Sequence, residues 1–150
     1  MREIGFRVYY EMELPNGEII NGMEESWSWF LLTQTGEIME YGPMRPPSRP
    51  DKEYKKLIPL FYIGLCDKTD KKIYEGDIVE FNGYRFKIAW ETLKARFWIF
   101  TLENGDFQSP TQKSREKVEY PFLCGKNNNC KYIKVIGNIY ENNNLTKQEG

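Results

Sequence analysis

Apolar and polar residues alternate along most of this chain with a period of two, which puts successive side chains on opposite faces of a strand. Arg7-Val8-Tyr9-Tyr10-Glu11-Met12-Glu13-Leu14 reads as extended, Pro15-Asn16-Gly17 as a turn and Glu18-Ile19-Ile20 as the return. Asn-Gly between two apolar-bearing runs is the strongest short hairpin signal, because both residues tolerate positive φ. A second hairpin is predicted from residues 26–33 (SWSWFLLT), a turn near Gln34-Thr35-Gly36, and residues 37–41, with Trp27, Trp29 and Leu31 on one face. The stretch 42–50 (GPMRPPSRP) holds four prolines. Proline brings no amide to a ladder and fixes its own φ, so this stretch predicts a semi-rigid connector and a domain boundary.

Beyond it, residues 51–56 predict a helical turn ended by Pro59, and residues 60–65 an extended segment. Asp67 to Lys72 (DKTDKK) is a charged turn. Ile73-Tyr74-Glu75-Gly76-Asp77 leads into Ile78-Val79-Glu80-Phe81, and Asn82-Gly83 turns the chain tightly. The next strand sets Tyr84, Phe86, Ile88 and Trp90 on one face and Arg85 and Lys87 on the other. Residues 95–102 (ARFWIFTL) are apolar on both faces, as a central or strongly curved strand requires, and Glu103-Asn104-Gly105-Asp106 turns again. Residues 109–131 are polar, with one helical turn expected around 112–117. The last strand is expected at 132–140 (YIKVIGNIY), with a bulge or kink at Gly137. The fold class is therefore mainly β: an N-terminal β-hairpin module with its proline-rich connector over 1–50, a C-terminal SH3-like small β-barrel over 51–145, and a frayed tail over 146–150.

Composition narrows the chemistry. Among 150 residues there is no His, which excludes Ser-His-Asp and Cys-His nucleophiles, His-ligated zinc and a His proton switch. Cys124 and Cys130 are separated by GKNNN with no third and fourth ligand to complete a tetrahedral site, and Cys66 sits in an apolar segment as a small core residue. Phosphate-binding glycine loops and dinucleotide fingerprints are missing from the sequence. Glu75 and Asp77, two apart and on one face if extended, are the remaining acid–base pair, with Glu80 on the opposite parity; solvated turn acids are the plainer reading. The expectation is a non-enzyme with no catalytic residues, no cofactor and no metal.

No basic n-region followed by an apolar h-region opens the chain, and the longest apolar stretches are broken by Pro59, Gly64 and Arg96. Neither approaches the ~20 residues of a membrane span, so a soluble protein with no membrane partner is expected. Net charge is −1, too small to funnel nucleic acid towards the molecule. Residues 1–50 carry 4 Lys/Arg against 8 Asp/Glu (−4), and residues 51–150 carry 17 against 14 (+3).

The block 62–79 (YIGLCDKTDKKIYEGDIV), Trp90 with Ala95-Arg96-Phe97, and the terminal VIGNIYE of 135–141 with Asn142 resemble the YopX family of phage and prophage proteins. The opening MREIGFRV is similar too; residues 9–59 match loosely, and the C-x5-C insertion departs from the pattern. The resemblance implies an SH3-like C-terminal barrel, an N-terminal β region for oligomerisation, and a phage or prophage gene in a bacterial cytoplasm. It implies no activity. In the motifs themselves, Gly76 supplies a backbone conformation closed to other residues, Asp77 accepts a bond from a nearby loop amide, and Ile136 and Ile139 pack inward while Gly137-Asn138 bends the strand.

Binding is the function these residues support. SH3-like barrels bind through aromatic-lined grooves, and Tyr74, Tyr84, Trp90 and Trp98 are the candidate rings, flanked by Arg85, Lys87, Lys94 and Arg96. Base stacking is worth ~1–3 kcal/mol per base where a ring is free, although in a small barrel the rings fill the core first. A protein partner is favoured and nucleic acid is the alternative. Trp27, Trp29, Phe30 and Leu31 are too apolar for a lone pair of hairpins and are the expected contacts of a homo-oligomer.

Overall fold

Asn16 and Gly17 reverse the chain where the alternation breaks first. Gly17 takes φ 84° and Asn16 Oδ1 accepts a hydrogen bond from the Glu18 amide at 2.9 Å. The structure, a computed structural model, describes residues 5–25, 30–35, 37–42, 45–50, 53–91, 96–103, 106–108 and 132–142. β1 (Phe6–Glu13) pairs antiparallel with β2 (Ile19–Glu25), with Tyr10 opposite Gly22. β3 (Phe30–Leu32) and β4 (Ile38–Gly42) form the second hairpin, closed by the Thr33 amide on the Glu37 carbonyl at 2.8 Å. Trp27 and Trp29 lie outside the described residues.

Two local expectations change between residues 42 and 61. The proline tract contains a short strand, β5 (Arg45–Ser48), which pairs with β4 through an irregularity. It sits at the edge of its three-stranded sheet, where alternate amides face away from β4, and its register with β4 shifts beside Pro46 and Pro47, so two consecutive prolines are tolerated. In place of a helical turn, β6 (Tyr54–Cys66) begins at Tyr54 and follows β1 as far as Phe61, with Pro59 opposite Val8. A ladder partner outweighs local helix preference there. Among the described residues there is no helix, and so none long and apolar enough to cross a membrane.

The chain divides into two compact units, Ile4–Phe61, and Tyr62–Gly150 with Met1–Glu3. The division falls inside β6, past the proline tract, because pairing with β1 keeps residues 54–61 with the N-terminal strands. In the first unit Val8, Tyr9, Phe30 and Leu60 are buried.

In the second unit, the end of β6 pairs with β7 (Lys72–Tyr74). A meander of β8 (Asp77–Phe81), β9 (Tyr84–Glu91), β10 (Arg96–Glu103) and β11 (Asp106–Gln108) follows, and β12 (Lys134–Asn138) joins the free side of β8. Asn82 at φ 50° and Gly83 at φ 81° make the tight β8–β9 turn. These curled antiparallel sheets form a half-barrel around Ile63, Ile73, Val79, Phe86, Ile88, Ile99, Ile133 and Val135. The bulge expected at Gly137 is present: the register with β8 shifts between Val135 and Gly137. Ile133, just before this strand, and Val135 on it are the buried apolar residues, whereas Ile136 on the strand and Ile139 in the turn after it are half-buried. Of the expected inward pair, Ile136 is one residue from Val135 and so belongs to the other face of the strand, and Ile139 lies past its end, in the turn. The turn expected at 112–117, Cys124, Cys130 and the tail 146–150 lie outside the described residues.

Candidate functional site

The charged turn after β6 is built around a carboxylate. Asp67 is fully buried; its Oδ1 accepts from the Thr69 amide (2.8 Å), the Thr69 hydroxyl (2.7 Å) and the Lys71 amide (3.0 Å), and its Oδ2 from the Val135 amide (2.8 Å). The Lys68 amide donates to the Ile133 carbonyl at 3.0 Å. One acidic side chain and one turn amide thus fasten the outer edge of β12, where a further strand would otherwise have paired. Burial raises the Asp67 carboxyl, but the bonds from the Thr69 side chain and the Val135, Lys71 and Thr69 amides outweigh it and hold its pKa below the ordinary value. In the sequence this segment reads only as a charged turn. The Asp-x-Thr spacing, typical of a side chain capping its own turn, was the available signal.

The two family-like segments meet. Gly76 takes φ 86°, its amide donates to the Ile88 carbonyl at 2.7 Å, and its carbonyl accepts from the Ile139 amide at 3.0 Å. A Cβ placed on Gly76 would lie 3.0 Å from Tyr140 Cε2. Asp77 is buried and accepts the Tyr74 amide at 2.8 Å, as its position in the motif predicts. Asn138 Oδ1 accepts the Tyr140 and Glu141 amides at 3.0 and 2.8 Å, closing the turn that carries Tyr140. Glu75 and Asp77 do not share a strand face, because Glu75 and Gly76 form the turn and Asp77 points back at it. Burial pushes the Glu75 carboxyl up, and burial followed by the Glu75 charge pushes the Tyr140 phenol up.

The candidate binding residues fall on two faces. Phe86 and Ile88, in the middle of β9, are buried, while Tyr84 and Trp90 at its ends extend past the core and are 44% and 48% exposed. The Trp90 ring rests edge-on against Phe97 at 5.1 Å. On the opposite face, the register sets Phe100 across from Lys87, Trp98 across from Ala89 and Arg96 across from Glu91. Arg85, Lys87, Arg96 and Trp98 therefore share one side of the sheet, and all four are half-buried. Arg96 lies over the Trp98 ring at 3.8 Å and its Nε is 3.3 Å from Glu91 Oε1; Lys87 Nζ is 5.8 Å from the Phe100 centroid. Lys94 lies outside the described residues. Tyr74 is not an available ring: it is buried, 5.7 Å from the Tyr62 ring. Cys66 is half-buried, its Sγ 3.8 Å from the Tyr62 hydroxyl.

Of the expected oligomer contacts, Phe30 is buried edge-on against Tyr54 at 5.7 Å within its own unit, and Leu31 is half-buried. Among the described residues of that unit, the exposed large apolar side chains are Ile19 and Ile20 on β2 and Phe61.

The family model described as YopX protein matches residues 12–147. The chain belongs to the YopX family. The match takes in both converging motifs and most of the first unit. No curated protein sequence matches the chain. Among solved structures, it is similar to protein EF1440 from Enterococcus faecalis, with a TM-score of 0.50 and 19% identity, over 98% of this chain and 100% of that one. At that identity the likeness concerns the fold alone.

Proposed function

We propose that this YopX-family chain is a non-enzymatic phage or prophage accessory protein of a bacterial cytoplasm that acts by binding protein, copies of itself included. The phage setting follows from the family resemblance. The observation that carries the binding reading is Trp90, an exposed indole at the end of β9 held edge-on by Phe97. A ring that is rigid before binding and still open to solvent is the type of side chain that dominates protein interfaces. The non-enzymatic part is supported by the placement of the acids, since Asp67 and Asp77 bind backbone amides of their own turns. Tagged wild type and Trp90→Ala are compared as baits in extract from induced host cells. Proteins retained by the wild type and lost from the variant support the reading; identical recovery on both baits sinks it.

A second reading, nucleic-acid binding, draws on the alternation of Arg85, Lys87 and Arg96 with Trp98 and Phe100 on one face. It is weaker because Arg96 and Lys87 already lie over rings of their own sheet and Arg96 also pairs with Glu91. Titration of labelled single- and double-stranded DNA and RNA at low and moderate salt separates the two, since phosphate binding must weaken as salt rises.

A further inference from the structure

We infer that Glu75, Tyr140 and Trp90 form a binding site for a lysine or arginine side chain on a basic segment of a partner protein. This names the chemistry of the partner proposed above and rests on that reading. Gly76 is bonded on two sides: its amide donates to the Ile88 carbonyl of β9 at 2.7 Å, and its carbonyl accepts the Ile139 amide at 3.0 Å. Tyr140 follows Ile139 and lays its ring on Gly76. β8 runs antiparallel to β9, so stepping back from Ile78, opposite Lys87, to Gly76 and Glu75 is stepping along β9 towards Trp90. Glu75 therefore stands at the junction of the strand end that carries Trp90 and the turn that carries Tyr140.

The polar groups around it are already in use. Asp67, Asp77 and Asn138 each accept backbone amides of their own turns, and the Glu141 carboxylate accepts the Asn138 side-chain amide at 3.0 Å. The Glu75 carboxylate is half-buried and has neither a hydrogen bond nor an ion pair among the described residues. Of the cations on β9 and β10, Arg96 is engaged with Glu91 and the Trp98 ring, and Lys87 with the Phe100 ring. Burial, and after it the Glu75 charge, raises the Tyr140 phenol, which puts that charge close to the ring. A half-buried charge without a partner weakens the fold that keeps it, and costs of that kind are met at sites that bind.

This chemistry selects a cation. An anion would be repelled by the carboxylate, and an apolar group would bury it further with nothing to pair it. An ammonium or guanidinium supplies both the missing charge and the missing donors. The ring faces of Tyr140 and Trp90 attract cations and can take the aliphatic stem of a lysine or arginine. Trp90, 48% exposed and fixed edge-on by Phe97, is in place before anything binds. A protein segment fits better than a free amine, because an open indole offers contact area to the residues on either side of the cation.

An NMR titration of the isotope-labelled full chain at low salt tests the site, with capped peptides of glycine alternating with lysine, arginine or glutamine. The lysine and arginine peptides shift the Gly76 and Tyr140 amides and the Trp90 indole N–H, and the uncharged glutamine peptide does not. Glu75→Gln keeps the shape of the side chain without its charge and weakens binding of both basic peptides at least about tenfold. If that variant fails to fold, the glutamine peptide on the wild type decides alone. No shift at those groups, or equal affinity of wild type and Glu75→Gln, overturns the site. Spermidine bound as tightly as the basic peptides overturns the protein source. As baits in extract from induced host cells, Glu75→Gln retaining the proteins that Trp90→Ala loses overturns the cation site and leaves binding through Trp90. Identical recovery on the wild type and both variants removes the protein-binding reading and the site with it.

Discussion

The unit from Tyr62 onward and the unit Ile4–Phe61 are made of the same antiparallel ladders but finish them differently. In the second unit the meander curls round eight buried apolar residues, and buried polar side chains complete the backbone where a strand is lacking. Asp67 takes the amide of Val135, Asp77 that of Tyr74, and Asn138 those of Tyr140 and Glu141. The first unit has ladders, a few buried residues and ion pairs in water, such as Lys55 with Glu13 at 3.1 Å and Lys56 with Glu11 at 3.7 Å. Exposed pairs of that kind contribute little, roughly 0–1 kcal/mol each. Among the described residues, buried polar side chains finish the ladders of the second unit, whereas the ion pairs of the first lie in water.

The largest expected effect is at Asp67. Asp67→Asn leaves one carbonyl oxygen and puts two donors where only acceptors serve, and should destabilise the chain by roughly 2–4 kcal/mol in urea unfolding at pH 7. The pH dependence has a definite sign. The folded pKa is depressed below the ordinary value of an aspartate, so this margin is complete above that ordinary value and is lost as pH falls through the folded pKa. The gap between wild type and variant should narrow over the same range. A pH-independent gap would show that the carboxylate is not what fastens β12.

Next in size is a comparison of glycines. Gly76, Gly83 and Gly17 all have positive φ, but a Cβ meets nothing within 4 Å at Gly83 or Gly17 and meets the Tyr140 ring at Gly76. Alanine at Gly17 or Gly83 should cost about 1–2 kcal/mol from backbone strain alone, and alanine at Gly76 more. Equal losses at all three sites would remove the convergence of the two motifs as a source of stability.

The smallest effect has the opposite sign. Burial holds the Glu75 carboxyl above the ordinary value of a glutamate, so its ionisation opposes folding as pH rises through that ordinary value and beyond. Glu75→Gln should therefore melt at a higher temperature than the wild type at pH 7, with the difference vanishing below the unfolded pKa. A variant less stable at pH 7 would mean that the carboxylate has a partner in the folded chain.

Much of this was legible in the residues. The Asn16-Gly17 and Asn82-Gly83 turns, the inward Phe86 and Ile88, the bulge at Gly137 and the bond to Asp77 follow from local chemistry: positive φ, period two, and a short acid beside a turn. The binding residues were less so. Alternation set Tyr84 and Trp90 with the core-facing residues of β9, and only the length of β9 beyond the core exposes them. Arg96, Trp98 and Phe100 join Lys87 on one face through a register between strands, which no single stretch of sequence contains.

By itself the sequence determined the strands, their tight turns and the absence of histidine chemistry, because these depend on each residue's own conformational range and functional groups. Tertiary structure alone decided that Asp67 reaches Val135, that Gly76 receives the Tyr140 ring, that the proline tract lies along a sheet edge and that β2 pairs with β1 at the end of its sheet's strand order. Each of those depends on which distant segment supplies the partner, and a burial or a hydrogen bond made across the chain leaves no period in the residues that make it.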